Sequence, residues 1–225
     1  MDDELSYTSQ RKRMVADQIF DRDIRNPRVL DAMRTIPRHR FVPPRDRHLA
    51  YTDGPLLIGH DQTISQPYIV ALMTELLELK GDEVVLEVGT GSGYQAAILG
   101  LLAREVHTIE RHAELAARAQ VVLEEIGLTN VHVHIGDGSA GLPEFAPYQA
   151  IMVTAAAPSV PQPLLDLLAE GGRLVLPVGS LGRQVLECWV RRGAHGCSES
   201  AFTHRVITAV AFVPLRGEYG WQQDW

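Results

Sequence analysis

Short apolar runs alternate with longer amphipathic stretches through the middle of the chain. Short apolar runs are typical of buried strands, and apolar positions three or four residues apart are typical of helices. The alternation predicts a mainly parallel sheet with right-handed crossovers and helices on both faces. In chain order the predicted elements are strand 84–88, helix 94–103, strand 106–109, helix 113–126, strand 131–135, strand 150–153, helix 163–169 and strand 174–176.

The chain beyond residue 180 has a different pattern. Residues 185–190 and 206–213 have the composition of strands, and the polar segment 191–200 joins them, so an antiparallel hairpin is expected at one edge of the sheet. Before this region, Gly127 and the pair Gly171-Gly172 follow two predicted helices. Glycine accepts the left-handed backbone angles that often end a helix, so both positions are predicted helix ends.

The first 80 residues predict two helices and one long loop. A helix is expected near 9–20 and a second after Asn26-Pro27, and a loop rich in Pro and Gly then runs from Pro37 to Gln66. A connection of this length inside a compact protein indicates a lid or a binding loop. A passive wrap around the sheet is the alternative.

A glycine-rich turn follows the first strand of the alternating region. Strand 84–88 leads into Gly89-Thr90-Gly91-Ser92-Gly93 and then into a helix, an order typical of nucleotide-binding sites. Glycines let the backbone come close to a ligand, and the first N–H groups of the helix can bond its oxygens. A simple tight turn would explain one or two glycines but hardly three in five residues.

Three acidic residues accompany this turn. Glu110 ends the next strand, where an acidic residue accepts hydrogen bonds from ribose hydroxyls. Asp137, between Gly136 and Gly138, suits an adenine amino group, although an Asp-Gly pair also caps turns. Glu87 lies within an apolar strand, where an unpartnered carboxylate costs several kcal/mol, so we expect it to be hydrogen-bonded. It would orient the glycine turn or, directly or through water, help to fix an amino group of the bound ligand.

Several longer motifs follow one another along the chain. They are Thr63-Ile64-Ser65-Gln66-Pro67, LEVGTGSGY (86–94), GDG (136–138), VTAAAP (153–158), GGRLVLPVG (171–179) and FVPL (212–215). With these motifs the sequence resembles the protein-L-isoaspartate (D-aspartate) O-methyltransferase family over almost its whole length. The glycine turn is shared by many methyltransferases, whereas the first motif in order with the fifth is specific to this family.

The resemblance implies an α/β fold of the Rossmann-like class I S-adenosylmethionine-dependent methyltransferases, with an antiparallel C-terminal edge and a helical N-terminal extension. It implies S-adenosyl-L-methionine as the cofactor, S-adenosyl-L-homocysteine as its product, and no metal. Ser65 is then the catalytic residue. The implied cofactor-binding residues are Gln62, Thr63, Ile64, Glu87, Gly89, Gly91, Ser92, Gly93, Glu110, Asp137 and Gly138.

Two local features bear on Ser65. A Ser that precedes Pro67 and an apolar helix (69–79) is also a good helix N-cap, and both roles can hold because a helix N-terminus favours anions. The pair His60-Asp61 departs from the family, where a small residue or glycine is common. Asp61 would disfavour an anionic substrate unless it points away or pairs, for example with His60 or an Arg of the segment 37–47.

The implied reaction is methyl transfer to the free carboxylate of L-isoaspartyl (and D-aspartyl) residues in damaged proteins, which starts repair through a succinimide. A carboxylate with a pKa near 4 is already ionised at neutral pH, so the reaction needs positioning rather than a strong base. This explains why a hydroxyl can occupy the centre of the site.

Composition and charge disfavour several classes of function. The formal net charge of −7 and the pI of about 5.7 argue against a nucleic-acid partner, which needs clustered Lys and Arg. No apolar run reaches the ~18 residues of a membrane span, and no apolar signal segment follows the N-terminal charges, so no membrane partner is expected. Cys188 and Cys197 lack the spacing of a zinc site or a disulfide framework, which favours the cytoplasm.

The length of 225 residues fits one domain, which we expect to act as a monomer. Its expected parts are a helical extension with the active-site loop (1–80), a cofactor-binding core (81–180) and a C-terminal hairpin and tail (181–225). His132 and His134 share one face of a predicted strand without a third metal ligand nearby. Trp221 and Trp225 either close over the cofactor or pack the terminus.

Three other functions remain as alternatives. A peptide-specific aspartyl O-methyltransferase of a biosynthetic pathway would have nearly the same site, but residues 217–225 are too short for a convincing extra peptide-binding segment. A dinucleotide-dependent oxidoreductase is disfavoured by the G-x-G-x-G spacing, because dinucleotide sites use G-x-G-x-x-G. A non-catalytic adaptor is disfavoured by the intact Glu110, Asp137 and Ser65.

Overall fold

A seven-stranded sheet forms the centre of the computed structural model, which describes residues 2–193 and 201–222. The strands lie in the order β5-β4-β3-β6-β7-β8-β9. They are β3 (Val84–Val88), β4 (Glu105–Glu110), β5 (Val131–Ile135), β6 (Tyr148–Val153), β7 (Leu168–Val178), β8 (Gln184–Arg191) and β9 (Phe202–Val210). The helices are α1 (Asp2–Arg13), α2 (Pro27–Thr35), α3 (Pro67–Leu76), α4 (Tyr94–Gly100), α5 (Ala113–Glu125) and α6 (Gln162–Asp166).

The direction of the strands confirms the predicted fold class. Strands β3 to β7 pair in parallel, and β8 and β9 add two antiparallel pairings at one edge. The predicted hairpin is therefore present, but its second strand covers Phe202–Val210 rather than 206–213. Residues 194–200 of the connecting segment, including Cys197, lie outside the described residues.

The N-terminal helix begins earlier than predicted. α1 starts at Asp2, and a π-helical segment, Met14–Ile19, continues it. Residues before 9 are mostly polar and show no apolar periodicity. The pattern therefore predicted only the part of the helix that contains the buried Met14, Val15 and Ile19. α2 begins as expected, with the Asn26 side chain accepting the Arg28 N–H ahead of the helix.

The segment 37–66, predicted as one long loop, contains regular structure. It contains two 3₁₀ turns and a hairpin of β1 (Leu56–Gly59) and β2 (Gln62–Ile64), which form a separate two-stranded sheet. His60 and Asp61 make the hairpin turn with left-handed φ angles of 53° and 56°. Strands of four and three residues are too short to show an alternating pattern, so sequence reasoning missed them.

One of the two predicted glycine helix ends is wrong. Gly127, with φ of 80°, follows α5 as expected. α6 instead ends at Asp166, and the Gly171-Gly172 pair lies in a bulge of β7, where pairing to β6 is irregular between Leu168 and Arg173. The left-handed φ of Gly171 serves this bulge rather than a helix end.

Both faces of the sheet are covered, as the alternating pattern predicted. Val85 belongs to a buried cluster that includes Met14 and Met33 from the N-terminal helices, whereas the next residue, Leu86, packs with Leu164 of α6. Neighbouring strand residues point to opposite faces, so the two clusters lie on either side of β3. Of the helices in the described ranges, none combines the length and apolarity needed to cross a membrane.

Candidate active site

A cleft lies at the carboxyl ends of the parallel strands β3 and β4 and beside the turn after β5. Ligands of open α/β sheets bind at this edge. The predicted site residues that line the cleft are Gln62, Thr63, Ile64, Ser65, Gly89, Gly91, Ser92, Glu110 and Gly138. The structure therefore brings the glycine turn and the Ser65 segment, which are remote in sequence, to one cavity.

The glycine turn needs glycine for its shape and for its packing. Gly89 has φ of 99°, and a Cβ there would lie 2.3 Å from Thr154 Oγ1. The Thr154 hydroxyl donates to the Gly89 carbonyl at 2.6 Å, which holds the turn against the end of β6. Gly93 has φ of 87° and packs against Ala119 of α5, so it shapes the turn without lining the cleft.

Glu110 fixes the other side of the turn. Its two carboxylate oxygens accept the N–H groups of Gly91 and His112, each at 2.9 Å. The side chain is almost completely buried yet borders the cleft. Since each carboxylate oxygen has a further lone pair, Glu110 can accept donors from a ligand as well.

Glu87 is fully buried beneath the turn and does not line the cleft. The Thr108 hydroxyl donates to its Oε2, and Thr108 contacts the Thr90 hydroxyl at 2.6 Å. The expectation that Glu87 is hydrogen-bonded is therefore confirmed, and the contacts favour its role in orienting the turn. Burial raises the pKa of Glu87 to about 8 in spite of the Thr108 hydrogen bond, and Oε1 has no partner within the described part of the chain.

Asp137 is exposed, and the C-terminal tail lies against it. Its carboxylate accepts the N–H groups of Ser139 at 2.8 Å and Glu218 at 2.7 Å. Burial opposes its ionisation, but these N–H groups hold the pKa of Asp137 below its ordinary value. Asp137 thus makes the turn cap that an Asp-Gly pair also predicts, while Gly138 beside it lines the cleft.

The tail itself is anchored by Trp221. The Trp221 indole N–H donates to the Ala156 carbonyl at 3.0 Å, after the end of β6. Leu215 and Arg216 of the same segment line the cleft. Trp221 therefore packs the tail beside the cavity, and Trp225 lies outside the described residues.

Ser65 is half-buried between the end of β2 and the start of α3. The predicted N-cap role is wrong, because Gln66 precedes the first residue of α3, and the Gln66 side chain makes no capping hydrogen bond. The Ser65 carbonyl accepts a hydrogen bond from Arg38 Nη2 at 2.8 Å. The Ser65 hydroxyl is thus not committed to the helix end.

A second groove meets the cleft at Ser65. Thr63 and Thr154 line both cavities as well. The groove extends along the end of β9 and is further bordered by Pro55, Gln66, Ile69 and residues 209–213. Thr154 lies in one of the family motifs but was not predicted to be a site residue, and the groove has no sequence signal because its walls come from distant segments.

His60 and Asp61 do not pair with each other. His60 Nε2 lies 3.0 Å from Glu114 Oε2, and its ring stacks on His112 at 4.9 Å. Arg118 of the same helix, α5, donates to the Ile58 carbonyl at 3.1 Å, so α5 holds the β1–β2 hairpin. Asp61 is exposed and lines neither cavity.

The histidines of β5 contact residues of β4. His132 Nε2 lies 3.4 Å from Glu105 Oε1, and His134 Nε2 lies 3.1 Å from His107 Nδ1. Within residues 2–193 and 201–222, no three His, Cys, Asp or Glu side chains are grouped as metal ligands.

Comparison with known proteins gives matches over almost the whole chain. Residues 9–220 match the family model for protein-L-isoaspartate(D-aspartate) O-methyltransferase (PCMT). A protein-L-isoaspartate O-methyltransferase of Trichlorobacter lovleyi is 51% identical over 97% of this chain and 98% of its own length. The corresponding protein of Methanoregula boonei is 53% identical over 96% of each chain.

Solved structures share the fold. A protein-L-isoaspartate O-methyltransferase structure, 28% identical, superimposes with a TM-score of 0.76 over 87% of this chain and 63% of its own. A Plasmodium falciparum protein solved with S-adenosyl-L-homocysteine, 23% identical, has a TM-score of 0.77 over 92% of this chain and 98% of its own. The fold, the cleft and the near-complete match to one family model together show that this chain belongs to the protein-L-isoaspartate(D-aspartate) O-methyltransferase family.

Proposed function

We propose that the cleft binds S-adenosyl-L-methionine and that Ser65, at its junction with the groove along β9, binds the isoaspartyl carboxylate. The chain is a protein-L-isoaspartate O-methyltransferase, since it is about 50% identical over nearly its full length to curated enzymes of this name. The observation that carries the site assignment is that the two cavities meet at Ser65.

The cleft has features that suit the cofactor. Glu110 offers free lone pairs to ribose hydroxyls at the position where nucleotide-binding sheets usually carry an acid. The backbone of Gly89 and Gly91 can approach a ligand closely because neither residue has a Cβ. Glu87 is assigned to the same site through the turn that it supports, where a water would satisfy its buried, unpartnered Oε1. The other residues assigned to the cofactor site are Gln62, Thr63, Ile64, Ser92 and Gly138, which line the cleft, and Gly93 and Asp137, which shape the turns beside it.

The reaction needs little proton transfer. S-adenosyl-L-methionine supplies a methyl group on a positively charged sulfur: the carboxylate oxygen forms the new O–C bond with its own electron pair, and the C–S bond pair stays on sulfur. The Ser65 hydroxyl would donate a hydrogen bond to the other carboxylate oxygen and so fix the direction of attack. Holding reactants in line can supply about 7 kcal/mol or more of the barrier, so no strong base is required.

The groove would hold the damaged chain on either side of the isoaspartyl residue. Small and apolar residues dominate its β9 wall at 209–213, which suits recognition of a backbone rather than of one side-chain sequence. The methyl ester would then cyclise without the enzyme to a succinimide and release methanol. Hydrolysis of the succinimide returns some normal aspartate, so the reaction starts repair; D-aspartyl residues are proposed as further substrates.

The most direct test of substrate offers two peptides that differ only in an isoaspartyl or an aspartyl residue, with a labelled methyl donor. We expect labelling of the isoaspartyl peptide alone, with a rate about 10- to 100-fold lower in Ser65→Ala. Equal labelling of both peptides would contradict repair and favour a peptide-biosynthetic enzyme. No labelling of either peptide would favour a non-catalytic adaptor.

Three further proposals concern the whole chain. We propose one methyltransferase domain over 1–225, because a single buried cluster joins Met14 and Met33 of the first part with Val85 and Leu186 of the others. We propose a monomer, because one chain supplies the walls of both cavities. We propose a cytoplasmic protein, because the buried thiol of Cys188 is free, as is usual in reducing compartments.

A further inference from the structure

Arg38 is the largest charged side chain that is completely buried. Its side chain has no exposed surface, and no carboxylate in the described ranges lies within ion-pair distance of it. Burial lowers the pKa of Arg38 to about 10, so the guanidinium still carries its charge at neutral pH. A buried cation without a counter-ion costs several kcal/mol, and a core of apolar residues would avoid that cost.

The hydrogen bonds of Arg38 link distant parts of the active-site loop. Nε donates to the Ala50 carbonyl and Nη2 to the Ser65 carbonyl, each at 2.8 Å. The guanidinium also lies 4.9 Å from the ring centre of Tyr94. Tyr94 is the first residue of α4 after the glycine turn and lines the cofactor cleft. Arg38 therefore contacts both the Ser65 backbone and the start of the helix beside the cofactor.

These contacts use properties that only arginine combines. The planar guanidinium donates along fixed directions to two carbonyls and lies over an aromatic ring, whereas a lysine ammonium is a point charge. Nη1 has no hydrogen-bond partner among the described residues, so Nε and Nη2 make both of the hydrogen bonds of Arg38 found there. The two hydrogen bonds form a fork that joins Ser65, just after β2, to Ala50 at the end of the second 3₁₀ turn. The guanidinium also contacts Tyr94, which lines the cleft.

We propose that Arg38 is a positioning residue that holds the Ser65 backbone in register with the cofactor cleft. This inference rests on the proposed role of Ser65. It predicts that loss of the fork disturbs methyl transfer more than it disturbs cofactor binding, because the contacts to Glu110 and Gly89 do not involve Arg38.

The chain offers a matched control in Arg28. Arg28 is half-buried, and its two Nη atoms donate to the carbonyls of Leu79 at 2.7 Å and Leu102 at 2.9 Å, away from both cavities. Arg28→Lys and Arg38→Lys therefore remove the same kind of backbone fork. Only the second fork ends at Ser65.

The test compares both Lys variants for three properties: S-adenosylmethionine binding by titration calorimetry, kcat and KM for an isoaspartyl peptide, and amide hydrogen exchange of residues 55–66. For Arg38→Lys we expect kcat to fall about 10-fold or more, because misplacement near 1 Å can cost 100-fold. Cofactor affinity should fall by a smaller factor than kcat, because Glu110 and the glycine turn keep their contacts, and exchange at 55–66 should rise. Arg28→Lys should leave all three properties near wild-type values.

A double variant separates positioning from general loosening of the fold. Since Arg38 acts through Ser65, Arg38→Lys in a Ser65→Ala background should lower kcat little further, whereas independent effects would multiply. Multiplying effects, or an equal loss of cofactor affinity, would overturn the inference. If Arg38→Lys does not fold, Arg38→Gln replaces it, because the Gln side chain keeps one donor nitrogen.

Hydrogen exchange keeps this inference distinct from the proposed function. Unchanged exchange at 55–66 in both Arg38 variants overturns the positioning role whatever the substrate is. An inactive wild-type enzyme with raised exchange in Arg38→Lys would instead contradict only the assigned activity.

Discussion

The two sides of the active site are built in different ways. The donor side, which comprises Gly89, Gly91, Glu110 and Gly138, follows three neighbouring strands of the parallel sheet. The acceptor side comprises Ser65 and the groove bordered by 209–213. It therefore combines a segment of the N-terminal extension with a segment of the C-terminal part. Backbone pairing positions the strands that carry the donor side, and local side-chain hydrogen bonds then hold its turn. On the acceptor side, side-chain contacts such as Arg38 to Ser65 join segments outside the seven-stranded sheet.

This difference separates two kinds of damage. A change at the donor side disturbs the turn that the cofactor needs, so binding and transfer both fail. A change at the acceptor side leaves the turn intact, so transfer should fail while the cofactor still binds. If changes on the two sides affected cofactor binding and methyl transfer equally, this distinction would be wrong.

The largest effect is expected from Gly89→Ala. The new Cβ would lie 2.3 Å from Thr154 Oγ1 at a φ of 99°, so the turn must move away from Thr154. We expect cofactor affinity, measured by calorimetry, to fall at least about 100-fold, as several kcal/mol of strain and lost contacts would require. Methyl transfer should be undetectable.

Gly127→Ala is the matched control for this change. Gly127 also has a left-handed φ, 80°, but nothing lies within 4 Å of an added Cβ. It should cost about 1 kcal/mol of stability and leave cofactor affinity unchanged. Similar cofactor affinities for both variants would mean that the glycine turn does not hold a fixed shape around the cofactor.

A smaller, pH-dependent effect is expected from Glu87→Gln. The folded protein holds a proton on Glu87 up to a pKa of about 8, while the unfolded chain releases it near the ordinary value of 4.5. This difference in pKa stabilises the folded protein fully below pH 4.5. Between pH 4.5 and about 8, the free energy of unfolding falls by up to about 1.4 kcal/mol per pH unit as the pH rises. Gln cannot ionise and lacks this loss.

Urea unfolding between pH 5 and pH 8 measures the effect. The free energy of unfolding of Glu87→Gln, relative to wild type, should increase steadily with pH. A constant difference across this range would show that Glu87 is not as deeply enclosed under the turn as the donor side requires.

The smallest effect is expected from Asp61→Asn. The side chain is exposed at the hairpin turn and borders neither cavity, and Asn accepts the same left-handed angles. Water and salt screen such a charge, so the KM for an isoaspartyl peptide should change less than about twofold. A fall in KM of tenfold would show that Asp61 repels the substrate and belongs to the acceptor side.

The donor side was predictable because its signal is local. The strand at 131–135 and the start of α4 at Tyr94 follow from apolar runs and glycines that are adjacent in the sequence. Glu110 follows from its place at the end of a strand. Each of these features depends on the order of residues within one βα unit.

The acceptor side was less predictable because its contacts are remote. The motif around Ser65 marked the segment through the family resemblance, but the apolar pattern did not reveal β1 and β2. The bond from Arg38 to Ser65 spans 27 residues, and the groove brings Ser65 together with residues 209–213. No periodic pattern reports contacts of this range, and the N-cap expected at Ser65 moved by one residue to Gln66.

Ser65→Ala tests the division between the two sides most directly, with cofactor affinity and kcat/KM for an isoaspartyl peptide measured on the same preparation. We expect S-adenosylmethionine affinity to stay within about twofold of wild type while kcat/KM falls about 10- to 100-fold, as for the loss of one hydrogen bond to a charged group. An equal fall in both quantities, or an unchanged kcat/KM, would contradict the assignment of Ser65 to the methyl acceptor.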